Sequence, residues 1–243
     1  MPNLVYLNNK YIPFKDAKIP IEDRGFQFSD SVYEVVKIIN KKILDFDFHM
    51  RRLKYSTAEL NFNFKVKNQL FKKIFQNLIK KNKISNGIIY LQITRGVQSR
   101  EHAYKKKLKP NVIVYTAKKK FNLPNKNYTG FKAITYPDIR WGRPDIKTTS
   151  LLANIIAATE ASKKGAYETI LEKGKKITEA AHSNVWIVKG NKIITHPANK
   201  EILKGVTRTV LINIIRSLGL KLIEKEFSLK ELYKSDEVFI TSS

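Results

Sequence analysis

Hydrophobic residues in this chain switch repeatedly between a two-residue and a 3.6-residue period, and the order of the switches constrains the fold more than any other feature. Leu4-Val-Tyr-Leu7 and Tyr11-Ile-Pro-Phe14 flank Asn8-Asn9, while Val35-Val-Lys-Ile-Ile39 and Lys42-Ile-Leu44 flank Asn40-Lys41. Short β-favouring runs around such pairs predict two hairpins. Asp47 stands where an N-cap belongs and opens a helix through about Leu60. Leu70, Phe71, Ile74, Phe75, Leu78 and Ile79 then recur at helical spacing, so a second helix turns one face inward. Gly87–Thr94 and Asn111–Ala117 return to strand.

Residues 118–128 carry Pro124, Asn125 and Asn127 with little apolar content, and they read as an interdomain linker. Beyond it the pattern changes phase. Strands are expected at Phe131–Tyr136, Tyr167–Leu171, Asn184–Val188, Lys192–His196 and Glu237–Thr241, and helices at Ser150–Lys164 and Gly205–Leu218. Helices and strands do not alternate one for one, which favours two α+β domains over a doubly wound sheet. The expected domains are 1–117 and 129–243.

Composition narrows the chemistry. With 243 residues and 42% apolar content the chain can bury a core, and without cysteine it offers no thiolate metal site and only four histidines as other ligands. No metal is therefore expected. No apolar stretch approaches membrane-spanning length and the N-terminus lacks a signal-peptide pattern, so the expectation is a cytoplasmic protein without membrane contact. The formal charge of +25 raises nucleic-acid binding. Its lysines are scattered over helix faces, turns and strand ends with no nucleic-acid fingerprint, so no nucleic-acid partner is expected.

Two segments carry candidate chemistry. Tyr90-Leu-Gln-Ile-Thr-Arg95-Gly leads from a β run into Arg100 and His102. At that spacing in extended backbone two side chains leave on one face, so a guanidinium and an imidazole can converge on a carboxylate. A solvated basic turn is the competing reading. Asp145-Ile-Lys147 places a lysine just before a helix among Trp141, Ile146, Leu151 and Leu152. Partial desolvation could make it a nucleophile, but composition alone does not separate it from the other lysines.

A longer set of motifs comprises Arg24-Gly-Phe-Gln-Phe-Ser-Asp-Ser-Val-Tyr-Glu34, Phe48-His-Met-Arg-Arg-Leu53, Arg95 to His102, Asp145-Ile-Lys147, Ile177-Thr-Glu-Ala180, Ser183-Asn-Val185, Thr195-His-Pro-Ala-Asn199 and Ile202-Leu-Lys-Gly-Val-Thr-Arg208. In this order and spacing it resembles the fold-type IV aminotransferases that use pyridoxal phosphate, and within them the D-amino-acid transaminases. The resemblance implies that Lys147 carries the cofactor covalently and shuttles the substrate α-proton, and that Glu179 lies beside the pyridine nitrogen. It implies that Arg52, Val206, Thr207 and Ser243 hold the phosphate. Tyr33, Arg100 and His102 would receive the substrate carboxylate, the last two reaching across a homodimer interface.

The resemblance implies transamination between D-amino acids and 2-oxo acids, typified by D-alanine plus 2-oxoglutarate giving pyruvate plus D-glutamate. A branched-chain L-aminotransferase and an aminodeoxychorismate lyase are the alternatives within the family. A basic nucleic-acid-binding protein or an inactive truncated relative are the alternatives of a different, non-enzymatic class. Two departures from the family pattern stand out. His182 occupies a turn usually built from small hydroxyl residues, and the sequence stops at Ser243 where the family continues, so a truncated C-terminal domain is expected.

Overall fold

The computed structural model describes residues 3–121 and 130–243. The chain divides into two compact units, and a short excursion, Ile146–Thr149, groups with the first. Most of the linker expected over 118–128 lies outside the described residues.

The first unit contains β1 (Leu4–Leu7), β2 (Lys10–Pro13), α1 (Arg24–Phe28), β3 (Ser31–Ile39), β4 (Lys42–Ile43), α2 (Phe46–Glu59), α3 (Asn68–Lys81), β5 (Gly87–Thr94) and β6 (Val112–Lys118). Its strands form one antiparallel sheet in the order β2-β1-β6-β5-β3-β4. Both expected hairpins are present. Asn8 and Asn9 (φ 47° and 71°) and Asn40 and Lys41 (φ 49° and 64°) supply the left-handed turn residues that two-residue connections need.

The two faces of this sheet differ because strand side chains alternate. Val32, Val36 and Ile38 point to one face, where they meet Met50 and Leu53 of α2 and Phe71, Ile74, Phe75 and Leu78 of α3 in a single core. Leu70 does not share that face and stays exposed. The expected N-cap is also displaced: Asp45 occupies the cap position with left-handed backbone, and Asp47 lies in the first turn. There its charge still favours the positive end of the helix. On the opposite face Tyr33 stacks on Tyr90 and Tyr90 on Tyr115.

The second unit contains β7 (Ala133–Pro137), α4 (Leu152–Lys163), β8 (Glu168–Lys173), β9 (Lys176–Ala180), β10 (Asn184–Lys189), β11 (Lys192–Thr195), α5 (Val206–Ser217), β12 (Lys221–Glu224), β13 (Phe227–Ser228), α6 (Leu229–Tyr233) and β14 (Glu237–Thr241). Two four-stranded sheets run in the orders β12-β11-β10-β14 and β13-β9-β8-β7. The pairs β7/β8 and β11/β12 are parallel, and α4 and α5 make the two crossovers. Ile170, Ile177, Val185, Ile187, Ile194 and Phe227 join the inner faces, while Trp186, Ile212 and Ile215 pack beneath α5.

Candidate active site

In the first unit, Lys147 is tied to the polar, tyrosine-bearing face. Its carbonyl accepts from Tyr33 N at 3.0 Å, Thr149 N donates to Ser31 O at 3.2 Å, and Thr148 bridges Val32, so residues 147–149 pair antiparallel with the start of β3. A side-chain relay reinforces this. Tyr90 donates to Gln92 (2.9 Å), Gln92 to Ser31 (3.0 Å), and Ser31 meets the Thr149 hydroxyl at 2.5 Å. Burial raises the Tyr90 pKa, so its hydroxyl remains a donor. Lys147 N donates to Ser56 Oγ, and its half-buried Nζ sits 4.0 Å from the centre of the Tyr33 ring. Tyr33 and Lys147 are thus brought together.

Arg52 projects from α2 beneath the sheet, where it meets Glu34 of β3. Nε and Nη2 close a bidentate fork on the Glu34 carboxylate at 2.8 Å each, and His49 Nδ1 lies 2.7 Å from Glu34 Oε2. Burial alone would raise the pKa of Glu34. The Arg52 charge and the hydrogen bonds of Arg52 and His49 outweigh it and hold the carboxyl at about 2. The sequence singled out Arg52 but gave no role to Glu34 or His49, although both lie within the quoted motifs. In this structure the Nε/Nη2 edge grips a carboxylate, which fixes the direction of the guanidinium.

Arg100 and His102 do gather, but not by the expected route. Residues 98–105 form an irregular loop rather than extended backbone, and both side chains are exposed. They converge because the loop folds over Phe28: the Arg100 guanidinium lies 4.7 Å from the ring centre and the His102 ring 5.5 Å from it. Buried Arg24 holds the loop by donating to the carbonyls of Glu101 (2.6 Å) and His102 (3.0 Å). Asp30 Oδ2 accepts from both Arg24 (2.9 Å) and Arg95 (2.7 Å), so one carboxylate balances two structural arginines. Gln98 spans the loop, donating to Ala103 O and accepting from Lys105 N.

In the second unit, Glu179 near the end of β9 is buried and paired. Oε1 makes a close ion pair with Arg140 Nη1 and accepts from Leu203 N at 3.1 Å, while Oε2 accepts from Asn184 Nδ2 at 2.9 Å. Arg140 is itself forked on Asp138, which also accepts from Thr178. Burial dominates and pushes the Glu179 pKa up to about 7, with Arg140 and the Leu203 amide pulling it down. Arg140 and Asp138 escaped the sequence reading because a pairing 39 residues apart leaves no local spacing signal.

Val206 and Thr207 open α5. Gly205 occupies the cap position with no side-chain acceptor on the first turn, so the leading amides have no side-chain cap. A Cβ at Gly205 would fall 2.1 Å from Asn184 Oδ1, so only glycine lets the helix start this close to the residue that anchors Glu179. Thr207 Oγ1 donates to Ser242 O at 3.0 Å, which brings the end of β14 to the same helix terminus. Ser243 is exposed beside it in sequence. His182 points outward, its Nδ1 2.6 Å from the buried carboxylate of Glu168.

Each unit, taken by itself, offers groups that suit a phosphorylated pyridine cofactor. A helix N-terminus without a side-chain cap favours a phosphate. A buried carboxylate suspended near neutrality suits a protonated ring nitrogen, and a half-buried lysine held on an aromatic ring is accessible to a carbonyl carbon.

The family model described as Amino-transferase class IV matches residues 31–243. The chain is 37% identical over 241 residues to the D-alanine aminotransferase of Listeria monocytogenes serotype 1/2a (strain 10403S), covering 98% of this chain and 83% of that one. It is 38% identical over 240 residues to the D-alanine aminotransferase of Bacillus licheniformis, covering 98% and 84%. Among solved structures, the branched-chain amino acid aminotransferase of Thermobaculum terrenum in its PLP form superposes with a TM-score of 0.88 at 21% identity, covering 99% of this chain and 82% of that one. The fold is that of the fold-type IV enzymes, which use pyridoxal 5'-phosphate, and the chain belongs to the class IV aminotransferase family.

Proposed function

We propose that this protein transfers an amino group between D-amino acids and 2-oxo acids, with D-alanine and 2-oxoglutarate as a representative pair. The observation that carries the reading is the Arg24-braced loop, which presents a guanidinium and an imidazole together on Phe28. The relatives at 37% and 38% identity, named as D-alanine aminotransferases, support it. Resemblance to a branched-chain enzyme at 21% identity bears on the fold alone.

When bound, pyridoxal 5'-phosphate would supply an electron sink for the pair left on the substrate α-carbon when its proton departs. Lys147 Nζ would hold the cofactor covalently and, as a free amine, would take up the α-proton and hand it on. Glu179 would keep the ring nitrogen protonated, and Arg140 opposes the burial that raises the Glu179 pKa. The amides of Val206 and Thr207, with Arg52 and Ser243, bind the phosphate. Glu34 and His49 orient Arg52. Tyr33, Arg100 and His102 bind the substrate carboxylate, with Arg100 and His102 supplied by a second copy of the chain in a cytoplasmic homodimer.

The test is to incubate the protein with its cofactor, 2-oxoglutarate and either D-alanine or L-leucine. Pyruvate and D-glutamate should appear with D-alanine. Turnover of L-leucine without turnover of D-alanine would overturn the reading.

A further inference from the structure

We propose that His196, Glu201 and Glu226 form a binding site for a divalent metal ion of the zinc type, separate from the residues assigned to the cofactor. His196 follows β11, Glu201 lies in the turn before α5, and Glu226 joins β12 to β13, so three connections of the second unit converge. One ligand atom from each residue lies within 4.8 Å of the other two.

The tautomer of His196 makes this more than a cluster of acidic groups. Its Nδ1 lies 2.8 Å from the carbonyl of Pro197, which can only accept, so Nδ1 carries the hydrogen. In the neutral ring Nε2 then presents a lone pair. That atom belongs to a side chain only 1% exposed and has no hydrogen-bond partner among the described residues. It faces Glu201 Oε2 at 3.7 Å, too far for a hydrogen bond. Among the described residues no donor reaches this buried lone pair, and a cation placed between it and the two carboxylates would satisfy all three groups. Around a tetrahedral zinc ion with bonds of about 2.0–2.2 Å, neighbouring ligand atoms stand about 3.4 Å apart. Modest movement of the two glutamate side chains reaches that spacing from the present one.

The surroundings fit such a role. Arg208 Nη2 donates to the His196 carbonyl at 2.7 Å, which fixes the backbone of the buried ligand. Lys173 and Lys176 currently pair with Glu201 and Glu226, and both lysines are exposed, so an incoming dication releases them to water. The Glu201 carbonyl accepts from Arg140 Nη2 at 3.2 Å. An ion on the Glu201 side chain therefore steadies the turn against which the Arg140–Glu179 pair leans.

Titration calorimetry of zinc chloride into the untagged holoenzyme at pH 7.5, without amino acids, tests the proposal. One tight equivalent is expected, and Glu201→Gln and Glu226→Gln should each weaken it at least about tenfold. Both glutamates reach solvent, so these variants should fold, and circular dichroism checks that they do. His196→Gln should abolish the binding. Absence of a stoichiometric site in the wild type, affinity within tenfold of wild type in either glutamate variant, or retained binding in a folded His196→Gln overturns the proposal.

Discussion

Replacing Glu34 by glutamine probes the support of the proposed phosphate arginine, and its cost can be worked from the structure. The carboxyl drops from an ordinary pKa of 4.5 to about 2 in the folded protein, because Arg52 and His49 favour its charged form. A fall of that size corresponds to about 3 kcal/mol of stability at pH 7, at about 1.4 kcal/mol per unit. Because the folded value is depressed, the contribution is complete above pH 4.5 and is lost as the pH falls toward 2. Linkage leaves roughly half of it at pH 3. Urea unfolding of wild type and Glu34→Gln at pH 7, 5, 4 and 3 should show a deficit that is flat from 7 to 5 and roughly halves by 3. Cofactor affinity should fall as well, since a neutral amide cannot hold both nitrogens of the Arg52 fork. A deficit independent of pH, or one below about 0.5 kcal/mol at pH 7, would refute the idea that this carboxylate is held charged by Arg52.

Three further substitutions and labels test the rest of the site. Borohydride treatment of the holoenzyme should fix the cofactor on the peptide containing Lys147, and mass spectrometry finding it elsewhere would displace Lys147 from its role. Glu179→Gln should slow the half-reaction with D-alanine more than it weakens cofactor binding, because it removes the charge beside the ring nitrogen but little volume. Equal rates in stopped-flow measurements would assign the protonation of the ring to another group. Arg24→Met removes the donors to the Glu101 and His102 carbonyls and should raise KM for D-alanine at least about tenfold with a smaller change in cofactor affinity. An unchanged KM would show that the loop holds its shape without Arg24.

Local signals in the sequence were dependable and long-range ones were not. Asn8-Asn9 and Asn40-Lys41 marked the hairpins because these turns demand left-handed backbone within two adjacent residues. The Phe71, Ile74, Phe75 and Leu78 stripe marked α3 because burial follows helical spacing. Strand β12 was missed: Lys221–Glu224 is short, and its parallel partner β11 is chosen by the α5 crossover rather than by its own residues. Helix α6 was also missed, although Ser228 and Glu231 form a capping box with a readable signature. Motifs single out Lys147, Glu179, Arg52 and Tyr33 as candidates. The contacts of Lys147 with Tyr33, Glu179 with Arg140 and Arg52 with Glu34 are set by sheet register and by pairings distant in sequence. Arg100 and His102 do lie near one another, but Phe28 and Arg24 bring them together, and strand alternation plays no part.

If Arg100 and His102 bind a substrate carboxylate, the kinetics of Arg100→Ala will show it. Loss of a charge-assisted contact of about 2–4 kcal/mol should lower kcat/KM for D-alanine roughly 30-fold to 1000-fold. Arg100→Lys should recover only part of the loss, because a point charge cannot reproduce the guanidinium fork. A primary amine without a carboxylate should react at nearly the wild-type rate in the half-reaction with Arg100→Ala. Equal damage toward D-alanine and the amine would instead make Arg100 a structural residue of the loop and would contradict the account.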